Sequence, residues 1–221
     1  MSPLPVSDEQ AKALAASAEF GKTFLGIAHD GGGYVARVLG SLPEDLVGWV
    51  IGDRVGIARW EQALKLEHAA KERLRARGVP TPEPMSPSLA APLLDAATSE
   101  TDPDLAELWE RLLANALDPA RKTRVRRKFI EIVKSMDPLD ARVFHMLQGL
   151  SGTLQPTVAQ VISSRLEVGE DDVVVSLSNL GDLQLIVGPR EGTGSGGANM
   201  AFLAKAPLTT FGRQFARAVD P

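Results

Sequence analysis

Apolar residues recur at three- and four-residue steps through most of the chain, the signature of helices with one buried face. The first stripe runs from Ser7 through Ala13, Leu14, Phe24, Leu25 and Ala28, and Gly31-Gly32-Gly33 then favours a turn. Tyr34, Val35, Val38, Leu39 and Leu42 form a second stripe. After Pro43, Leu46, Val47, Val50 and Ile51 open a third, which continues through Trp60 and Leu64 to Leu74. Gly78-Val79-Pro80 closes that long helix, with glycine just past its end and proline behind it.

Four proline steps punctuate the middle of the chain: Ser86-Pro87, Asp102-Pro103, Asp118-Pro119 and Asp137-Pro138. Each offers a short oxygen-bearing cap followed by proline at the first helical position, and so predicts a helix start. The stripes behind them are Leu105, Leu108, Trp109, Leu112, Leu113 and Ala116, then Val125, Phe129, Ile132, Val133 and Met136, then Leu139, Val143, Met146, Leu147 and Leu150. Pro92, inside the stretch Pro87–Thr98, predicts a kink or a break.

The last seventy residues change character. A helix from Pro156 to Val168 and the stretch Asp171–Gly181 precede Leu183–Val187, which reads as a strand ended by Gly188-Pro189. Arg190–Asn199 is a glycine-rich loop, Met200–Ala206 reads as a second strand, and Leu208–Arg213 leads into a short terminal helix. That order is the order of a winged helix. The sequence therefore predicts a mainly α protein: a glycine-rich helical region (1–80), a central helical domain (81–137) and a winged-helix-like C-terminal domain with a small β-hairpin wing (138–221).

Composition narrows the chemistry. The chain has 221 residues, 44% hydrophobic and 24% charged, which is enough for a sizeable core without staples. With no cysteine, disulfides, thiolate metal sites and a cysteine nucleophile are excluded. His29, His68 and His145 show no metal-ligand spacing. Neither a secretory leader nor a conventional membrane span is predicted, which makes the cytoplasm, or its membrane face on activation, the expected location.

The net charge of −4 hides a block structure: residues 79–118 carry one basic and eight acidic groups, and residues 119–128 carry six basic groups and no acid. Adjacent blocks of opposite sign suit an assembly interface more than a broad nucleic-acid face.

Several segments share a family pattern. They are Gly52-Asp53-Arg54 leading into the helix with Trp60, Leu94–Glu100, Trp109 with Leu112–Asp118, Phe129–Val133, Met136–Ala141 and Leu208–Phe215. Together they resemble the abortive-infection alpha family across roughly residues 45–217. The resemblance implies a role in blocking phage replication and supplies no catalytic residue, cofactor or substrate.

Within the shared motifs, Trp109 lies on an apolar stripe and reads first as core packing, with ligand stacking as the alternative. Asn115 reads as structural glue that satisfies nearby backbone carbonyls, because buried amides must be hydrogen-bonded. Asp53 and Arg54 interrupt an apolar run and read as an internal ion pair. Gly48, Gly52 and Gly56 share one helix face and permit close helix packing or self-association.

The densest candidate contact is Arg121, Lys122, Arg124, Arg126, Arg127 and Lys128, six cations in eight residues. Its readings are phosphate contact, on nucleic acid or lipid, and a solvated helix start neutralised by the acidic block before it. The candidate recognition segment Glu170–Leu185 carries four acids and no lysine or arginine, which argues against DNA reading there. Gly192–Gly197 lacks the lysine of a phosphate loop and the spacing of a hydrolase elbow. No catalytic, cofactor-binding or metal-binding residues are assigned.

The expected function is a non-enzymatic phage-defence role through protein or membrane contacts, as a homo-oligomer or with a protein partner, with the membrane surface approached through the N-terminal region. The alternatives are a nucleic-acid-binding regulator using residues 121–128 and a structural interaction module.

Overall fold

Proline opens three of the helices among the described residues. The computed structural model describes residues 54–79, 81–149, 157–187 and 208–221. Among them are eight α-helices: α1 (Arg54–Ala76), α2 (Pro87–Ser99), α3 (Pro103–Leu117), α4 (Arg127–Lys134), α5 (Pro138–Gly149), α6 (Val158–Leu166), α7 (Glu170–Asp182) and α8 (Thr210–Ala218). A 3₁₀ turn, Lys122–Arg124, precedes α4.

Helices α2, α3 and α5 begin at the expected prolines. At α3 the Asp102 carboxylate accepts the backbone N–H groups of Asp104 and Leu105 at 2.9 and 3.3 Å, as a cap should. Asp118-Pro119 opens no helix. There Asp118 ends α3, its carboxylate takes the Ala120 N–H (2.9 Å), and the chain turns for several residues before α4. Helix α2 runs on through Pro92, where only one backbone hydrogen bond is forgone.

Helix α1 closes as its glycine predicts. Gly78 takes φ 69°, its N–H bonds to the Arg75 carbonyl and the Val79 N–H to that of Leu74. That crossed pair satisfies carbonyls the helix end leaves orphaned.

The chain forms two units. The first, among described residues, holds α1 up to Ala69 and α2. Its buried side chains include Ala63, Leu66, Leu93, Leu94 and Ala97, and Arg59 pairs with Asp95 at 3.6 Å. The second holds residues 70–83 and everything from Glu100 on. In it, α3 packs on α4, α5 and α8, and α7 packs on α5 and α6. Its centre is aromatic. Phe215 of α8 lies 5.4 Å from Phe129 of α4 and 5.2 Å from Phe144 of α5, between ring centroids, in tilted and edge-on arrangements favoured by aromatic quadrupoles.

The winged-helix expectation is overturned. Among the described residues there is no strand, and the only β pairing is an isolated antiparallel bridge between Ile186 and Leu208. The predicted strand Leu183–Val187 fails because its backbone donors are spent closing α7. Leu183 N–H bonds to Asn179, Gln184 to Gly181, and Leu185 and Ile186 both to Leu180. Gln184 takes the left-handed conformation, φ 61°, which the reversal requires. The candidate loop 190–199 and the candidate strand 200–206 lie outside the described residues.

The Leu208-Thr209 step and Gly212 do have a structural basis. The Thr209 hydroxyl accepts the Gly212 N–H (2.8 Å), which caps α8, and its own N–H bonds to the Leu185 carbonyl (3.0 Å). A Cβ on Gly212 would stand 1.8 Å from that carbonyl oxygen, so only glycine lets α8 start this close to the end of α7.

Candidate functional site

The six cations of residues 121–128 divide into two groups. The division begins at Asp118, which is buried and ends α3. Its backbone carbonyl takes the N–H groups of Arg121 and Lys122 at 2.9 and 2.8 Å, folding the chain back. Arg121 is thereby held beside the Asp118 carboxylate (3.7 Å), and it reaches Asp220 (3.7 Å) and the Pro221 carbonyl (3.2 Å). Lys122 pairs with Glu83. Both cations are absorbed by the fold.

The next four are not. Val125 is buried, and Phe129 and Ile130 are buried on the first turn of α4. These anchors leave Arg126, Arg127 and Lys128 exposed between them and Arg124 half-exposed. None of the four side chains meets a carboxylate or a hydrogen-bond acceptor among the described residues. Arg126 is the cap residue of α4 and supplies no side-chain acceptor, so the first amides of that helix are not capped by it. Four cations around a helix N-terminus oppose the macrodipole. Nothing within the described fold compensates that cost.

Asn115 sits fully buried on α3 and behaves as structural glue. Its Nδ2 donates to the carbonyls of Ala218 (2.8 Å) and Asp220 (3.1 Å), and its Oδ1 accepts from Arg77 Nη1 (2.8 Å). Arg77 also donates to the Asp220 carbonyl (3.0 Å), and Arg111 donates to that of Val219 (3.4 Å). The end of α8 is thus clamped by one amide and three guanidinium groups, cations placed where the helix dipole is negative. Burial and the neighbouring Arg121 lower the Arg77 pKa, against the opposing pull of Asp118 and Asp220.

Sequence reasoning missed Arg77, Arg111 and Asp220. A signal existed for Arg111: it is the lone cation in the acidic block 79–118, and it lies one turn before Asn115 on the same helix face. Trp109 is buried at 1% exposure, in keeping with core packing, although its indole N–H has no hydrogen-bond partner. Gly48, Gly52 and Asp53 lie outside the described residues. Arg54, Gly56 and Trp60 fall within α1, and their side chains lie outside the description.

Two cavities mark the second unit. One, of about 140 Å³, lies between α3 and α5 and is lined by Glu107, Leu108, Arg111, Arg142, His145 and Met146 among others. The other, of about 130 Å³, adjoins Lys128; Glu131 and Ile132 of α4 line it with Asp182, Leu183 and Gln184 from the end of α7. Among the described residues no group of three or more histidines and carboxylates could hold a metal ion. No helix among them is long and apolar enough to cross a membrane.

No curated protein and no solved structure shows significant similarity to the chain. A model of the abortive infection alpha family matches residues 60–219, well over half of the 221 residues, and the match takes in the α3 core, the cationic edge and α8. The chain belongs to the abortive infection alpha family.

Proposed function

We propose that this protein serves abortive infection by binding rather than by catalysis, and that its contact surface in the second unit is the cationic edge Arg124, Arg126, Arg127 and Lys128. The ligand that fits is the phosphate backbone of a nucleic acid. One observation carries the reading: four cations within five residues stand without partners among the described residues while Arg121 and Lys122, beside them, are each paired with a carboxylate. An edge kept bare at a helix start that disfavours positive charge is best accounted for by an anion from outside.

Helix α7 does not compete for this role, because Glu170, Asp171, Asp172 and Asp182 are all exposed on it. Those carboxylates repel phosphate.

Replacing Arg124, Arg126 and Arg127 together with glutamate abolishes binding to a labelled oligonucleotide. In the unaltered protein, log affinity falls with log salt at a slope of roughly −3 to −4, as four phosphate contacts require. The same variant loses protection in a phage challenge. Binding that survives the reversal places the site elsewhere in the chain. Protection that survives the reversal but is lost on deleting residues 1–44 moves it to the glycine-rich N-terminal region.

A further inference from the structure

The cavity beside the cationic edge has the chemistry of a base pocket. Lys128 belongs to both features, since it ends the row of unpaired cations and lines the cavity. Glu131 and Ile132 follow it by three and four residues on α4, so they share its face one turn, about 5.4 Å, further along. The opposite wall is the closure of α7: Asp182, Leu183 and Gln184. That wall is held firmly. The Gln184 N–H bonds to the Gly181 carbonyl (2.8 Å), and the Gln184 carbonyl accepts the Thr209 hydroxyl (2.6 Å). Gln184 also keeps a left-handed backbone, φ 61°, which glycine would adopt at lower cost.

The lining selects among ligands. Of the apolar lining residues, half-buried Leu183 offers contact to a flat body, whereas Ile132 is 1% exposed. Asp182 is an exposed carboxylate with no partner among the described residues, and Glu131, also exposed, lies 3.8 Å from Lys134. They repel a bare phosphate inside the cavity and demand hydrogen-bond donors. A nucleotide with its phosphate on Lys128 and its base beyond meets both demands if the base presents adjacent donors. Guanine does so with N1–H and the N2 amine, side by side in the spacing of a carboxylate. Adenine and uracil cannot. The Watson–Crick edge must be free for this contact, which requires an unpaired strand.

We infer that this cavity receives a guanine base of single-stranded nucleic acid whose backbone lies on the cationic edge. The inference rests on the polyanion reading above and adds to it the strand type and the base.

The test is fluorescence anisotropy on the full chain with labelled strands of equal phosphate number: alternating guanine and uracil, alternating inosine and uracil, and abasic. The guanine strand binds about tenfold tighter than the abasic strand, within the range of base–pocket contacts, and the inosine strand, lacking the N2 amine, falls between. Leu183→Trp, which fills the cavity, and separately Asp182→Asn with Glu131→Gln, which removes the acceptors, each abolish the preference for the guanine strand over the abasic strand. The charge-removing variant binds the abasic strand tighter because its repulsion of phosphate is lost. Thermal melts of both variants establish that they are folded. Equal binding of guanine and abasic strands by the unaltered protein overturns the pocket while the cationic edge stands. Competition by guanosine monophosphate at the same concentration as the strand overturns the strand. Absence of binding to every strand overturns the edge and the pocket together.

Discussion

Arg121 and Arg126 are five positions apart in one basic run, and the fold treats them in opposite ways. Arg121 is bound to Asp118, Asp220 and the Pro221 carbonyl, and it helps to clamp the end of α8. Arg126 stands exposed at the start of α4 with no partner among the described residues. What separates them is whether the fold brings a counter-charge alongside. The clamp draws on residues 77, 111, 115, 118 and 220, which α3 brings together, whereas no acid pairs with the edge among the described residues. A run of like charges is therefore not one functional unit. Folding takes the cations it can neutralise and leaves the remainder for a ligand.

That comparison breaks most plainly in the clamped half. Trp109 is buried on α3 next to the clamp, and Trp109→Ala costs about 3–5 kcal/mol, as expected for a large core side chain. Chemical denaturation measures this directly. A fully stable variant with altered binding would instead make Trp109 part of a ligand site. Asn115→Ala follows at about 2–4 kcal/mol. It removes the acceptor of Arg77 and the donor to two carbonyls, leaving buried polar groups unsatisfied. Hydrogen exchange should then rise first in α8. Unchanged protection of α8 would show that the clamp is not what holds it.

Much of the helical fold was legible because it depends on local chemistry. The starts at Pro87, Pro103 and Pro138 and the stop at Gly78 need only a cap, a fixed φ or a left-handed turn, all written within four residues. The clamp was half legible: Asn115 reads as glue from the sequence, but its hydrogen-bond partners lie at positions 77, 218 and 220. The winged helix was the clear error. Leu183–Ile186 has the apolar run of a strand, yet its donors are consumed by carbonyls of α7, a competition that hydrophobic pattern does not register. The motif that suggested the wing, Leu208-Thr209 with Gly212, records a close backbone approach to Leu185 and needs no hairpin.

The two halves of the basic run are contrasted more sharply by a matched pair of substitutions. Arg121→Gln forfeits ion pairs and a backbone hydrogen bond at a part-buried position, at a cost of about 1 kcal/mol. Arg126→Gln changes stability by less than about 0.5 kcal/mol, because no contact is lost. Oligonucleotide affinity reverses the ranking, with Arg126→Gln weakening binding and reducing the salt slope by nearly one contact. Equal stability losses for the two variants would mean that Arg126 has an internal partner after all.

The smallest effect is a pH dependence on the clamped side. Burial alone would raise the Glu107 pKa, but hydrogen bonds and charge from Arg111 and Arg73 outweigh it and bring the pKa below the ordinary glutamate value. Arg111 Nη2 donates to Glu107 at 2.6 Å and Arg73 at 3.4 Å. A carboxylate whose folded pKa is depressed adds stability that is fully present above its unfolded pKa and is lost as pH falls through the folded value. The Glu107 contribution is therefore intact at neutral pH and disappears on acidification below about pH 4.5. Its side chain is 48% exposed, so water and salt screen the contribution and keep it small. Glu107→Gln lowers the melting temperature slightly at pH 7 and flattens the acid limb of the melting curve relative to the unaltered protein. Substitutions at the cationic edge leave that limb where it is, because no carboxylate there depends on them. An acid limb that moved with Arg126→Gln and stayed put with Glu107→Gln would exchange the roles of the two regions.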